Sequence, residues 1–430
     1  MKSGIAVLLL LIFFTEIAVS RNNTVHLPHP SGSYGVARIA YDWIDNTRFE
    51  IFSSDTKAHR ELMAYIWYPT QKNLSQSTFS GYLPNADVLA KELPSAELES
   101  DWGASWQYIF SNQVLTDVHE KAPIASGRER YPLIVFSPGL GTSTLSYTCL
   151  IQEIVSHGYI VASIEPIYES SVVAFPDGRV IRSVPEAGVN RRVAPEESRA
   201  QFLDRMRKED APLLERRAAD IRFVINQLFG DTDHGKRISP NFPFANRIDF
   251  HNIGVWGHSV GGRAAARACQ LDIRIKACLN ADGGGLDGPI FLYEGARLPS
   301  QPFMLMQSPL PLPPTDSMLT MYKITREDWE KEHNTRLTAY EQQLKAFPGG
   351  SYRLTINMPG TSHNSFTDWQ ILGAKSEADF SQGSQILGSI EIYTIAFFDK
   401  YLKHRSKTLL DTAKNASAGI FLEKYKKKEN

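Results

Sequence analysis

In the segment Gly257-His258-Ser259-Val260-Gly261, a serine lies two residues from a glycine on each side, a spacing typical of a nucleophilic serine. Residues 253–256 before it are apolar and typical of a buried strand, and residues 262–269 after it favour a helix. A strand, a sharp turn with Ser at its tip and a helix form a nucleophile elbow, in which glycines allow the tight turn. We predict that Ser259 is an acyl-transfer nucleophile and that the Val260 N–H is one oxyanion donor.

A serine in such an elbow needs an acid and then a histidine further along the chain. Residues 273–280 are predicted to form the next strand, and Asp282 follows its end. Catalytic groups gather at the carboxyl edge of an open α/β sheet, so Asp282 is the first choice for the acid. Asp287 and Asp272 are the alternatives, although Asp272 precedes the strand and would lie at the opposite edge.

Three of the eleven histidines follow Asp282 in the chain. His333 belongs to a charged helical run that favours a solvated face, and His404 lies in a basic stretch after a terminal helix. His363 comes after the alternating segment 352–357, which predicts a strand, and after a short loop. Position and elimination therefore favour His363 as the general base.

A second oxyanion donor is expected from a loop that follows an early strand. Residues 131–136 are apolar and predict a strand, and Ser137-Pro138-Gly139-Leu140-Gly141-Thr142 follows it. Glycines there allow a backbone N–H to point into a site, so the Leu140 N–H is paired with that of Val260. The two glycines of this loop lack the third glycine of a dinucleotide-binding fingerprint.

Four segments together carry a family resemblance: 60–69, 136–141, 156–162 and the elbow 257–262. They resemble the secreted (plasma-type) platelet-activating factor acetylhydrolase family of the α/β-hydrolase superfamily. The Ser259 to Asp282 interval and the residues around His363 fit the same family. The chain departs from the animal enzymes at Val260, where they carry an aromatic residue, at Pro138, where they carry His, and in a longer Asp282 to His363 interval.

The resemblance implies an α/β fold, the α/β-hydrolase fold, with a mostly parallel central sheet, helices on both faces and inserted rim segments. It further implies a serine esterase that hydrolyses the short sn-2 acyl ester of a phospholipid through a Ser-His-Asp triad and an acyl-enzyme. The expected partner is a small-molecule ester or phospholipid, with transient contact to lipid surfaces allowed and no obligate protein partner evident. A general carboxylesterase, or a cutinase-like polyester hydrolase, would use the same triad. A degenerate hydrolase kept as a binding module is disfavoured, because Ser, acid and His are all present.

The first twenty residues predict a signal peptide. They contain Lys2, then ten apolar residues from Ile5 to Phe14, and then the small residues of a cleavage site at 18–20. We therefore expect cleavage near Ser20 and a secreted or periplasmic protein. A net charge of −1 offers no electrostatic case for nucleic acid binding.

Residues 21–430 are predicted to form a single hydrolase domain with insertions near 81–130, 168–209 and 308–349. The first insertion is aromatic, the second is rich in Arg, and the third begins with a Pro-rich run and continues as a charged helix. Two helices are predicted from three-to-four spacing of apolar residues. The first is 210–229, with Asp210 as its cap and an apolar stripe of Leu214, Ala218, Ile221, Ile225 and Leu228. The second is 388–402, with Ile392, Ile395, Phe398 and Leu402 on its packed side.

No cofactor is expected. No metal is expected either, since no pair of histidines or acids is recognised at ligand spacing on one element. The three cysteines, Cys149, Cys269 and Cys278, are predicted to be buried thiols and not a disulfide framework.

Overall fold

Twelve strands of the described part of the chain form a sheet at the centre of the protein. The computed structural model describes residues 25–74, 79–92, 114–127, 130–189, 193–230, 245–284, 297–309, 314–412 and 418–425. The strands are β1 Val25–His26, β2 Gly35–Phe49, β3 His59–Thr70, β4 Phe79–Gly81, β5 Val114–Glu120, β6 Tyr131–Ser137, β7 Ile160–Glu165, β8 Val172–Ala174, β9 Val180–Arg182, β10 Ile248–His258, β11 Ile275–Ala281, β12 Phe303–Gln307, β13 Ser351–Ile356 and β14 Ile420–Tyr425.

The strand order is β1-β5-β2-β3-β7-β6-β10-β11-β12-β13-β14, with β4 paired to β5, while β8 and β9 form a separate ribbon. The six strands from β7 to β13 in this order are parallel. Strand β3 pairs antiparallel with both β2 and β7, and β14 pairs antiparallel with β13, whereas β2 pairs parallel with β5. Strands β6, β7 and β12 are buried along their whole length. Parallel strands covered on both faces read as continuous apolar runs, which is why residues 131–136 are apolar without alternation.

Helices cover both faces of the sheet. They are α1 Ala86–Glu92, α2 Thr148–Ser156, α3 Arg199–Phe229, α4 Val260–Leu271, α5 Asp316–Met321, α6 Arg326–Ala346, α7 Trp369–Leu372, α8 Glu377–Leu402 and α9 Leu409–Thr412. One apolar cluster joins the sheet to α2 and α8, and a second joins its other face to α3, α4 and α6. The predicted α/β architecture, a mostly parallel sheet between two helical layers, is confirmed.

Helix α3 begins eleven residues before the predicted start, so Asp210 is not its cap. Ser198 and Gln201 form a capping box that satisfies the first N–H groups and starts the helix there. Pro212 lies inside the helix, and Asp210 instead pairs with Arg263 at 2.5 Å. The predicted apolar stripe is confirmed, because its members are all fully buried: Leu214, Ala218, Ile221, Ile225 and Leu228.

Helix α8 is also longer than predicted, and one member of its proposed packed side is wrong. Ser376 caps it, and Ile392 is 50% exposed, whereas Ile395, Phe398 and Leu402 are buried. The buried face instead continues through Ile386, Ile390, Tyr393 and Phe397. A stripe drawn only from residues near the C-terminus misplaced the centre of that face.

Cys149, Cys269 and Cys278 are buried and free, as predicted. Among the residues described, no helix is both long and apolar enough to cross a membrane. The predicted signal peptide, the aromatic part of the first insertion, Arg191, Arg192, most of the Pro-rich run and the alternative acid Asp287 lie outside the described residues.

Candidate active site

Ser259 stands at the turn between β10 and α4. Its φ of 56° and ψ of −123° lie in a region that non-glycine residues rarely occupy. The Ser259 N–H is held by the Ala281 carbonyl of β11 at 2.8 Å, and the Gly262 N–H bonds the Ser259 carbonyl at 3.1 Å. Strain of this kind persists only where the surroundings enforce it, and here two strands and a helix do so.

Glycines make the turn possible by letting backbones approach. A side chain at Gly257 would collide with the Gly261 carbonyl oxygen. A side chain at Gly261 would collide with the carbonyl oxygens of Ser137 and Pro138. The first turn of α4 therefore packs directly on the loop that follows β6, which brings the two predicted oxyanion segments together.

The structure brings Ser259, Asp282 and His363 together, although 104 residues separate the first from the last. Asp282 follows β11, and His363 opens a short 3₁₀ turn after β13. His363 Nε2 is 3.0 Å from Ser259 Oγ, and His363 Nδ1 is 2.8 Å from Asp282 Oδ2. The carboxylate accepts, so Nδ1 carries the hydrogen and Nε2 is left to accept the Ser259 hydroxyl proton. The arrangement has the donor and acceptor order that a general base needs.

Asp282 is oriented by the ends of two neighbouring strands. Its φ is 53°, and Asn280 closes the turn beneath it through bonds to Gly283 N at 2.8 Å and Gly283 O at 2.9 Å. Ser308, just past β12, donates its N–H at 3.0 Å and its hydroxyl at 2.8 Å to the Asp282 carboxylate. Burial by itself raises the pKa of Asp282, but hydrogen bonds from His363 and Ser308 outweigh it and hold the pKa below its ordinary value. Asp282 therefore stays ionised. The sequence pattern marked Ser308 only as the start of an insertion. It reaches the Asp282 carboxylate because β12 lies beside β11.

The alternative residues that the structure describes lie elsewhere. Asp272 follows α4 and forms an ion pair with Arg274 at 2.6 Å. It lies at the opposite end of β11 from Asp282. His333 stacks on Trp329 within α6, with ring centroids 4.7 Å apart. His404 Nε2 contacts Asn252 Oδ1 at 3.0 Å.

In the loop after β6, some backbone N–H groups donate hydrogen bonds within the protein and others do not. The Gly139 N–H donates to Tyr147 Oη at 3.1 Å, and the Gly141 N–H donates to the Glu169 carbonyl at 3.0 Å. Within the described part of the chain, no acceptor is found for the N–H of Leu140 or of Val260. Both predicted donors thus have an N–H that could serve an oxyanion.

Arg217 of α3 holds the same loop from behind. Its guanidinium donates to the Pro138 carbonyl and, at 3.5 Å, to the Gly139 carbonyl, while its Nε donates to Glu169 Oε2 at 2.5 Å. Both Arg217 and Glu169 are buried. Arg217 therefore fixes the direction of these two carbonyls. The sequence signal that could have indicated this role is an arginine placed on the apolar side of a predicted helix. Such an arginine becomes buried and needs acceptors.

His258, the residue before Ser259, connects the loop to the candidate base. Its Nε2 is 3.0 Å from the His363 carbonyl, which can only accept, so Nε2 carries the hydrogen. Its Nδ1 therefore accepts from the Tyr147 hydroxyl at 2.8 Å. Burial, helped by the nearby His363, lowers the pKa of His258 to about 3, so the ring stays neutral. Tyr147 is a residue that the sequence analysis missed.

The fold defines the class of protein. A mostly parallel sheet with helices on both faces and a strand–Ser–helix turn is the α/β-hydrolase architecture. A solved ferulic acid esterase from Streptomyces cinnamoneus shares this fold with a TM-score of 0.61 and 23% identity, covering 93% of this chain and 99% of its own.

The family described as platelet-activating factor acetylhydrolase, isoform II, matches residues 19–383, and the chain belongs to this family. Its membership places the chain among the carboxylic ester hydrolases. A probable 1-alkyl-2-acetylglycerophosphocholine esterase from Arthroderma benhamiae is 24% identical over 92% of both chains. A platelet-activating factor acetylhydrolase from Canis lupus familiaris is 25% identical over 75% of this chain and 68% of its own.

Proposed function

We propose that this protein is a serine esterase that hydrolyses the short sn-2 acyl ester of a phospholipid, with Ser259 as nucleophile, His363 as general base and Asp282 as the acid. The observation that carries the proposal is the pair of contacts that His363 makes, to Ser259 Oγ at 3.0 Å and to Asp282 Oδ2 at 2.8 Å. The substrate class comes from the family and from the named relatives.

The first half-reaction forms an ester on the enzyme. Ser259 Oγ attacks the carbonyl carbon of the sn-2 ester while its proton passes to His363 Nε2. Asp282 holds the imidazole in place and stabilises its charged form, and the amides of Leu140 and Val260 bind the oxyanion. The tetrahedral intermediate then collapses, the C–O bond to the glycerol breaks, and His363 returns the proton to the leaving lysophospholipid oxygen.

The second half-reaction releases the acid. Water attacks the acyl-enzyme carbonyl and gives a proton to His363, and the Ser259 Oγ–acyl bond then breaks as His363 returns that proton to Ser259. The side chain of His363 is 51% exposed, so water reaches it directly. No metal or cofactor is needed for these steps to balance.

A small cavity of about 60 Å³ lies beside the loop that carries Leu140. Gly141 and Ser143 form one wall, and apolar residues that include Leu145, Ala174 and Trp369 form much of the rest. We propose that it takes an apolar part of the substrate. Filling it with Ala174→Leu should reduce turnover of longer acyl esters more than turnover of acetyl esters, and an unchanged chain-length profile would reject the assignment.

We also propose that residues 21–430 act as one secreted unit after removal of the signal peptide. Support comes from the sheet, which every described strand except β8 and β9 joins, from Val25–His26 to Ile420–Tyr425, and from the composition of the first twenty residues. N-terminal sequencing of the protein recovered from the culture medium or periplasm would test the cleavage near Ser20.

The test of the triad uses a fluorophosphonate probe and a substrate panel. Ser259→Ala should abolish both labelling and ester hydrolysis, because no nucleophile remains, while its circular dichroism matches the parent protein. The matched control is Ser381→Ala on the exposed side of α8, which should retain both. Labelling that persists in Ser259→Ala would reject the assignment.

The panel contains an sn-2 acetyl phospholipid, short-chain nitrophenyl esters and polyester film. Preference for the phospholipid supports the proposed substrate class. Activity on the film and nitrophenyl esters without the phospholipid would favour a general carboxylesterase or polyester hydrolase.

A further inference from the structure

Three side chains that contain metal-ligating atoms lie together at the β1 end of the sheet, on strands that carry none of the candidate catalytic residues. His26 belongs to β1, His29 follows it, and Asp117 belongs to β5. One ligand atom from each residue lies within 4.8 Å of the other two. Two imidazoles and one carboxylate are a donor set suited to late first-row divalent ions, whereas Mg²⁺ and Ca²⁺ prefer oxygen ligands.

The spacing of these atoms is close to what an ion requires. His29 Nδ1 is 2.8 Å from Asp117 Oδ2, and His26 Nε2 is 3.9 Å from Asp117 Oδ1. Ligand atoms that surround a tetrahedral ion at about 2.0–2.2 Å lie roughly 3.3 Å apart. The two observed distances run to different oxygens of the Asp117 carboxylate and fall on either side of that value. An ion bound to His29 Nδ1 would displace the proton that this nitrogen shares with Asp117.

His26 is held in the tautomer that a ligand needs. Its Nδ1 is 2.8 Å from the Leu27 carbonyl, which can only accept, so Nδ1 carries the hydrogen. The lone pair of Nε2 is left on the side of Asp117. Metal-binding histidines commonly donate their other ring N–H to a carbonyl in this way, which fixes the ring orientation.

The backbone between the two histidines is also fixed. The side chain of Leu27 is buried, and its N–H donates to the Leu115 carbonyl of β5 at 3.0 Å. Gln152 Nε2 of α2 donates to the Pro28 carbonyl at 2.7 Å. His26 and His29 are thereby presented on one side of the segment, with ring centroids 4.4 Å apart.

The site has room for solvent ligands. The side chain of His29 is 70% exposed and that of His26 is 30% exposed, whereas Asp117 is mostly covered. A three-ligand site that faces solvent leaves a fourth position for water. A hydrogen bond between His29 and Asp117 alone would not require His26 Nε2 to lie 3.9 Å from the same carboxylate.

We propose that His26, His29 and Asp117 bind one late first-row divalent ion, with Zn²⁺ as the expected occupant, and that the ion fastens β1 to β5. No metal site was predicted from the sequence. The His26-Leu27-Pro28-His29 spacing becomes a ligand pair only because this segment is fastened to β5 and α2, and Asp117 joins it only through the parallel pairing of β1 with β5.

Isothermal titration of the intact protein with ZnCl₂ tests the proposal, with MgCl₂ as the comparison ion. One Zn²⁺ should bind per chain and raise the melting temperature, since a ligand that binds only the folded state stabilises it, and Mg²⁺ should do neither. Co²⁺ in place of Zn²⁺ should give visible absorption bands at the same stoichiometry.

Substitutions of the ligands separate this site from any other. His26→Ala, His29→Ala and Asp117→Asn should each weaken Zn²⁺ binding by about ten-fold or more. His251→Ala, which removes an exposed histidine of β10, is the matched control and should bind like the parent protein. His29→Ala keeps the fold measurable because His29 is exposed. Absence of saturable Zn²⁺ binding in the parent protein, or unchanged binding in His29→Ala, would overturn the proposal.

Discussion

His258 donates its Nε2 hydrogen to the main-chain oxygen of His363 at 3.0 Å, so the residue before Ser259 holds the residue that faces the Ser259 hydroxyl. The other nitrogen of His258 accepts from Tyr147, whose hydroxyl also receives the Gly139 N–H. One neutral hydrogen-bonded chain therefore runs from the loop after β6 to the loop after β13. It couples the positions of the proposed oxyanion donors and the proposed base.

Tyr147→Phe should interrupt this chain at its centre. The change removes a donor to His258 Nδ1 and the acceptor of the Gly139 N–H, and buried groups that lose their partners cost about 1–3 kcal/mol of folding stability. We expect kcat for ester hydrolysis to fall by about ten-fold with little change in KM, because donors and base shift relative to the transition state. Steady-state kinetics and urea unfolding measure the two effects.

The matched control is Tyr159→Phe, which removes a buried hydroxyl bonded to Asp399 Oδ1 at 2.7 Å. It should reduce stability to a similar degree and leave kcat unchanged. Equal loss of kcat in both variants would mean that Tyr147 acts only through stability.

Asp282→Asn should lower kcat by about four powers of ten while the fold is retained. An amide placed against His363 Nδ1 favours the tautomer with the hydrogen on Nε2, which cannot accept the Ser259 proton. Asp272→Asn, which changes the alternative acid beside Arg274, should leave kcat unchanged. Loss of activity in Asp272→Asn with retention in Asp282→Asn would reverse the assignment.

Gly261→Ala should remove activity or the fold itself. The new side chain would meet the carbonyl oxygens of Ser137 and Pro138, which are backbone atoms and cannot move aside without displacing the loop. Gly388→Ala, inside α8 where no heavy atom lies within 4 Å of the added carbon, should instead stabilise the protein by about 0.5–1 kcal/mol. Thermal unfolding and hydrolysis assays compare the two. A Gly261→Ala protein with parental activity would show that the loop and helix do not need this close approach.

Glu165 should make stability depend on pH. Burial raises its pKa to about 7 from an ordinary 4.5, although Ser143 and the Thr144 N–H donate to the carboxylate. The folded protein therefore keeps a proton that the unfolded chain has lost, so stability should fall as pH rises from about 4.5 to 7. Glu165→Gln should flatten this decline by on the order of 1–3 kcal/mol across the window.

Urea unfolding at several pH values measures the slope, with the exposed Glu186→Gln as the control. Burial also raises the pKa of Asp368 to about 7. The stability of the Glu165→Gln protein should therefore still fall as pH rises, but by less than that of the parent protein. An unchanged slope in Glu165→Gln would show that Glu165 is ionised in the folded state.

The sequence by itself indicated the elbow around Ser259, the strands of the parallel region and the candidate residues Asp282 and His363. These features depend on local patterns: glycine spacing, apolar runs and the order of residues along the chain. The predicted start of α3 was wrong because the capping box of Ser198 and Gln201 lies outside the pattern used. The predicted burial of Ile392 was wrong because a short pattern did not give the centre of the buried face of α8.

Only the tertiary structure decided which residues support that site and which meet elsewhere. Ser308 reaches Asp282 because β12 lies beside β11, Arg217 reaches Pro138 because α3 packs behind the loop, and Tyr147 reaches His258 across the elbow. Asp117 likewise meets His26 only through the pairing of β5 with β1. Each of these contacts joins residues far apart in the chain, and their distances follow from strand order and register, which a local pattern does not contain.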